Sequence, residues 1–235
     1  DMCIRDRFNM GQFIQLTASD GHSFEAYETI PTKETIGTLV LVQEIFGVNT
    51  HIQATADLYG SLGYRVVAVP TMDRVQKNVN LGYTPEDMQA GSALKAAVEA
   101  LPNHPVMLDL QAAINHLKPF GKVGIFGYCY GGLLTWRSAC QLSGLSAAVA
   151  YYGGGVQNES QTIPQCPVMA HFAEEDSYIP LDTVEAFKKS RPEVEVHIYA
   201  GHHGFNCDHR ASYFGQSAQI ARTRTLDFFQ KHLGK

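Results

Sequence analysis

Three side chains in this sequence could together carry out acyl transfer: Cys129, Asp176 47 residues on, and His203 a further 27 along. A thiol is mostly protonated at neutral pH, and the thiolate is the attacking form, so Cys129 needs a base or a favourable field. His203 is the expected base. A histidine in that role needs a carboxylate on its other ring nitrogen to fix tautomer and orientation, which Asp176 can supply. Each partner has a rival. His202 stands beside His203, Glu174 and Glu175 stand beside Asp176, and Asp176 could instead cap a helix that follows it. The His-Gly-Phe turn favours His203, because the glycine lets that ring turn inward, while Glu174 and Glu175 are expected to face solvent.

Cys129 lies in KVGIFGYCYGGLLTW, Lys122 to Trp136: a short apolar run, a tight glycine-rich turn, then apolar residues at helical spacing. This is the strand-turn-helix setting of the nucleophile elbow G-x-S-x-G, with cysteine in place of serine. The glycines have a mechanical role there, since the nucleophile is strained and strand and helix pass too close for a Cβ. Stripped of that chemistry, the stretch reads as an ordinary glycine-rich strand-helix junction. Acyl transfer also needs donors for the developing oxyanion. The backbone N–H of Tyr130, directly after the cysteine, is one expected donor, and that of Ile45, after the apolar run Thr38 to Gln43, is the other. Glu44 is harder to place, because a carboxylate near a thiolate opposes its formation. Either it points away, or it regulates the charge of Cys129.

The elements that must position these groups follow from periodicity. Phe13 to Thr17 and Ser23 to Thr29 read as a hairpin across an Asp-Gly turn. Thr38 to Gln43, Arg65 to Val69, Val123 to Phe126, Ala147 to Tyr152, Pro167 to Phe172 and Glu195 to Tyr199 read as further strands. Helical spacing runs from about His51 to Gly63, and over Glu86 to Leu101, Val106 to Leu117, Leu181 to Ser190 and Ser217 to Leu233. Pro70 to Pro85 has no clear period and reads as an ordered surface excursion. Strands alternating with helices imply parallel pairing through right-handed crossovers, hence one doubly wound, mostly parallel α/β sheet with the hairpin on an antiparallel edge. In such sheets ligands sit at the carboxyl ends of the strands. Glu44, Arg74, Cys129, Asp176 and His203 all fall just after expected strands.

Hydrophobic residues make up 45% and charged residues 17%, a globular balance with no bias toward disorder or a membrane span. The length of 235 residues suits a single domain over 1–235. A net charge of -5 argues against nucleic-acid binding, so any anionic ligand must be held by a few placed cations. The five cysteines, Cys3, Cys129, Cys140, Cys166 and Cys207, form no CxxC pair and read as free thiols of a reducing compartment. The first residues carry no signal-peptide pattern, and a cytoplasmic monomer or weak homo-oligomer is expected.

Together the stretches QEIFGVN (Gln43 to Asn49), DRVQKNVNLGYTPEDM (Asp73 to Met88), GYCYGG (Gly127 to Gly132), the Asp176 loop and GHHGFNCDHRASY (Gly201 to Tyr213) resemble the dienelactone hydrolase family, the carboxymethylenebutenolidases of the α/β-hydrolase superfamily. The resemblance implies an α/β-hydrolase fold and opening of the enol-lactone ring of dienelactone to maleylacetate, with no metal or organic cofactor. By analogy Cys129 is the nucleophile, His203 and Asp176 complete the triad, and Ile45 and Tyr130 form the oxyanion hole. Glu44 would hold the resting thiol neutral until substrate displaces it. Arg74 and Arg210 would grip the substrate carboxylate. Arg210 departs from the family pattern: an arginine four residues after the histidine is usual, where this chain has Cys207, and Arg210 reaches the site only if its loop curls inward. Two rival readings are an esterase or thioesterase for another small anionic substrate, and a redox-sensing α/β protein whose Cys129 is oxidised, not acylated.

Overall fold

Two of the apolar runs, GTLVLV at Gly37–Val42 and YRVVAV at Tyr64–Val69, are buried along almost their whole length, as strands covered on both faces must be. In the computed structural model of the chain, which describes residues 11–234, they lie inside one eight-stranded sheet. Cys3 and the signal-peptide reading fall on residues outside that range. The strands are Gly11–Thr17 (β1), Ser23–Thr29 (β2), Gly37–Val42 (β3), Tyr64–Val69 (β4), Val123–Tyr128 (β5), Leu145–Tyr151 (β6), Val168–Ala173 (β7) and Glu195–Tyr199 (β8). The helices are Thr50–Ser61 (α1), Pro85–Glu99 (α2), Val106–Leu117 (α3), Tyr130–Gln141 (α4), Leu181–Ser190 (α5) and Gly215–Leu233 (α6).

Spatial order across the sheet is β1-β2-β4-β3-β5-β6-β7-β8. The β1–β2 hairpin is antiparallel and adds antiparallel to β4, and every pair from β4 to β8 is parallel. Helices cover both faces. On one, Tyr59 of α1 and Phe229 of α6 pack on Phe126 of β5. On the other, Trp136 of α4 meets Phe187 of α5 edge to face, and α3 lies alongside α4. The carboxyl ends of β3, β5, β7 and β8 therefore open on one rim, and each hands the chain to a loop carrying a residue singled out above.

Two connections frame that rim. Asn49 caps α1, its side-chain oxygen accepting from Ile52 N–H, while its Nδ2 donates to Leu81 carbonyl oxygen and lies 3.2 Å from the Tyr83 hydroxyl. The stretch after β4 is the expected ordered surface excursion, tied down at both ends: Thr71, Met72 and Asp73 are buried, Gly47 bridges to Asn80, and Leu81 N–H donates to Phe46 carbonyl. Its end starts α2 through a capping box between Thr84 and Asp87, with Pro85 in the first turn.

Candidate active site

Cys129 sits between β5 and α4 at φ 57°, ψ -119°, a left-handed conformation that a residue with a Cβ adopts only under constraint. The constraint is visible in the hydrogen bonds. Cys129 N–H donates to Tyr151 carbonyl at 3.0 Å, and its own carbonyl accepts from Gly132 N–H at 2.9 Å. The flanking glycines make the bend possible: a Cβ on Gly127 would fall 2.3 Å from Gly131 carbonyl oxygen, and one on Gly131 would fall 2.2 Å from that of Val42. The sequence GYCYGG is therefore the one that lets β5, α4 and the end of β3 converge on a single point.

A hydrogen-bonded chain runs from that point. His203 Nε2 lies 3.1 Å from Cys129 Sγ, and His203 Nδ1 lies 2.7 Å from Asp176 Oδ2. The other oxygen of Asp176 accepts from Tyr178 N–H at 2.8 Å, which ties the carboxylate to its own loop. Edge contacts from Tyr152 and Tyr178, with centroids 5.1 and 5.0 Å away, hold the ring from two sides. Burial of His203 opposes its protonation, but negative charge on Cys129 and Asp176 outweighs that and pushes its pKa up to about 9. The rivals separate by exposure: His202, Glu174 and Glu175 face solvent, while His203 and Asp176 are buried.

Ile45 and Tyr130 line one cavity with Cys129 and His203. Tyr130 is the first residue of α4, where a backbone N–H has no intrahelical acceptor and the helix dipole favours negative charge. Glu44 is fully buried next to Ile45, yet its carboxylate is not on the thiol. Oε1 accepts from Arg210 Nη1 at 3.2 Å and Oε2 from the Tyr83 hydroxyl at 2.9 Å. The expectation that Glu44 holds the resting thiol is thus corrected: the two donors draw the carboxylate aside and leave Sγ to His203.

Arg210 reaches the cavity, as the inward-curling loop requires. Gly204, at φ +83°, permits this approach, since a Cβ there would fall 2.6 Å from Arg210 Nη1. Arg74 does not reach it. Its Nη1 and Nη2 donate to Asp20 at 2.6 and 2.9 Å, and its Nε and Nη2 donate to the buried Asp109. Both edges of the guanidinium are occupied, so the expected grip of Arg74 on a ligand carboxylate is replaced by a structural ion network joining the β1–β2 turn to α3.

Lys95 is the cation that the sequence reading missed. With Met88 and Ser92 it lines the cavity from α2, and these positions share one helix face at i, i+4, i+7. Its ammonium lies 5.3 Å from the centre of the Tyr130 ring. The spacing was available in the sequence, but that α2 lies over the elbow was not. Tyr83 and Tyr178 were missed for the same reason, as loop residues with no periodicity. The cavity encloses about 300 Å³, room for one small ring, between Arg210, Lys95 and the Cys129 sulfur. Among the described residues Cys129, Cys140, Cys166 and Cys207 are all free thiols, and no helix is long and apolar enough to cross a membrane.

The chain is similar to known proteins over almost its whole length. The family model of the dienelactone hydrolase family matches residues 24–233. A carboxymethylenebutenolidase of Pseudomonas putida is 30% identical over 226 residues, covering 92% of this chain and 94% of its own. The crystal structure of a protein assigned as a dienelactone hydrolase in Klebsiella pneumoniae subsp. pneumoniae MGH 78578 superposes with a TM-score of 0.79 at 27% identity, covering 94% of this chain and 99% of that one. A dienelactone hydrolase-like promiscuous phosphotriesterase from metagenomic libraries shares the fold at TM-score 0.77 and 18% identity, over 96% and 100% of the two chains. The chain belongs to the dienelactone hydrolase family, carboxylic-ester and lactone hydrolases of the α/β-hydrolase fold.

Proposed function

We propose that the protein opens a small, negatively charged enol lactone, dienelactone being the first candidate, through an acyl-enzyme on Cys129. The observation that carries this reading is the Cys129–His203–Asp176 chain, at 3.1 and 2.7 Å, on a cavity that also holds Arg210 and Lys95. His203 takes the thiol proton, and Sγ attacks the ring carbonyl. The N–H groups of Ile45 and Tyr130 receive the oxyanion. Collapse breaks the ring C–O bond and expels an enolate, which takes the proton from His203 and leaves the imidazole neutral again. The acyl group stays on sulfur. Water then gives its proton to His203 and its oxygen to the acyl carbon; the thiolate leaves, and one lactone plus one water become one ring-opened keto acid.

Arg210 and Lys95 supply the carboxylate grip, with Lys95 in the part expected of Arg74. Glu44, paired with Arg210, is released as the substrate carboxylate takes its place on the guanidinium. Mass spectrometry tests the covalent step. Wild-type protein mixed with dienelactone and quenched should carry the acyl mass on the peptide containing Cys129, and Cys129→Ala should carry none and turn over nothing. Unchanged hydrolysis by Cys129→Ala would overturn the reading. Substrate charge is tested separately, with acidic lactones against their neutral isosteres; loss of the cation pair's partner should cost roughly 2–5 kcal/mol in kcat/KM.

A further inference from the structure

Near Glu44 stand three side chains that acyl transfer does not use: His51 at the start of α1, and Cys207 and His209 on the loop after His203. Each offers a ligand atom, and the three atoms lie within 4.8 Å of one another. We propose that His51, Cys207 and His209 bind one transition-metal ion of the zinc(II) class, which seeks thiolate and imidazole. Around zinc, bonds of about 2.0–2.1 Å to nitrogen and about 2.3 Å to sulfur place tetrahedral ligand atoms roughly 3.3–3.8 Å apart, so closure asks for a shift of about an ångström. His209, with 44% of its side chain exposed, is free to make it.

A second observation points to a ligand. His51 is buried, and its Nε2 has no hydrogen-bond partner, an arrangement that folded proteins avoid unless something binds there. Asp208 supplies what metal-binding histidines usually have behind them, a carboxylate on the ring: its Oδ1 lies 2.8 Å from His209 Nδ1 and 3.4 Å from His51 Nδ1. Burial keeps His51 below its ordinary pKa, against the pull of Glu44, so the ring is neutral and able to ligate. Burial likewise pushes the Cys207 thiol up to about 12, where it is no nucleophile and no ready target of oxidation. Binding would release that proton, the thiol and the divalent ion giving a metal thiolate and one H⁺. Tyr83 joins the cluster to the catalytic side, since its hydroxyl donates to Glu44 and also meets the Cys207 thiol. The ion would pin the loop 201–210, which carries His203 and Arg210, to the first turn of α1. No step of acyl transfer runs through it.

Cobalt(II), titrated into Cys129→Ala protein, tests this by binding alone, with the catalytic thiol removed as a competing ligand. One equivalent should bind and give a thiolate-to-cobalt charge-transfer band in the near ultraviolet, and Cys129→Ala/Cys207→Ala should lose the band. In the same background, His209→Asn, an exposed change that leaves the core untouched, should weaken zinc affinity about tenfold or more against a chromophoric chelator. The proposal is overturned by absence of saturable binding, by a band that survives loss of Cys207, or by zinc affinity unchanged in His209→Asn.

Discussion

Arg210 Nη1 lies 3.2 Å from Glu44 Oε1, two side chains 166 positions apart that neutralise each other behind the cavity wall to which Arg210 belongs. Both are largely buried, so neither can lose the other cheaply. Arg210→Met should lower stability by about 3–5 kcal/mol, because it leaves Glu44 buried with its charge unpaired. Arg210→Met/Glu44→Gln should recover most of that in urea melts while remaining poor at binding acidic substrates. A single mutant as stable as wild type would mean that the pair is not formed in solution.

The raised pKa of His203 sets the acid side of the rate profile. With a folded value of about 9 against 6.5 unperturbed, the imidazolium persists through neutral pH and loses its proton as pH rises through about 9. Its stabilising contribution is complete below about 6.5 and is lost across the same rise. Because His203 must be neutral to take the thiol proton, a rate–pH profile of kcat/KM should rise as pH climbs toward about 9. In Asp176→Asn the rise should move toward neutrality, since one of the groups that raises the pKa is gone.

Arg74 and Lys95 should part company when each is replaced. Arg74→Met strands the buried Asp109 and should cost about 3–5 kcal/mol of stability, with KM unchanged in whatever protein folds. Lys95→Met should leave stability within about 0.5 kcal/mol and raise KM for acidic substrates but not for neutral ones. Steady-state kinetics on matched substrates, alongside denaturant melts, distinguishes the two.

Glycines around the elbow offer a graded test of its geometry. Gly131→Ala drives a methyl to 2.2 Å from Val42 carbonyl oxygen and 2.4 Å from that of Gln43, and should cost about 3 kcal/mol with a matching loss of turnover. Gly154→Ala, whose methyl meets nothing within 4 Å, should leave stability unchanged. Equal melting temperatures for the two variants would refute the close approach.

Local pattern carried most of the fold, because buried parallel strands and amphipathic helices each leave a period in the sequence. The helices Val106–Leu117 and Leu181–Ser190 were legible to the residue, the first through its apolar face and the second because Pro192 follows its end. The elbow and the order of cysteine, aspartate and histidine were legible because strained turns demand glycine. Ion partners were not. Arg74 looks like Arg210 in sequence, and only the fold brings Asp20 and Asp109 to it from 54 and 35 residues away. Glu44 posed the same difficulty, since its position by the thiol was readable while its two competing donors, Tyr83 and Arg210, lie 39 and 166 residues off.

At Gly91, α2 touches the loop after β3 backbone to backbone: a Cβ there would lie 2.5 Å from Ile45 carbonyl oxygen. The Ile45 side chain closes on the same point, its Cγ1 and Cδ1 at 3.0 and 3.1 Å. The helix that presents Met88, Ser92 and Lys95 to the cavity therefore packs directly on Ile45, the residue whose N–H is proposed as an oxyanion donor. A ligand that lifts or tilts α2 to fit itself also presses on Ile45, so, with Ile45 N–H as the proposed oxyanion donor, a ring of the wrong girth should be penalised in the alignment of the reaction as well as in its binding.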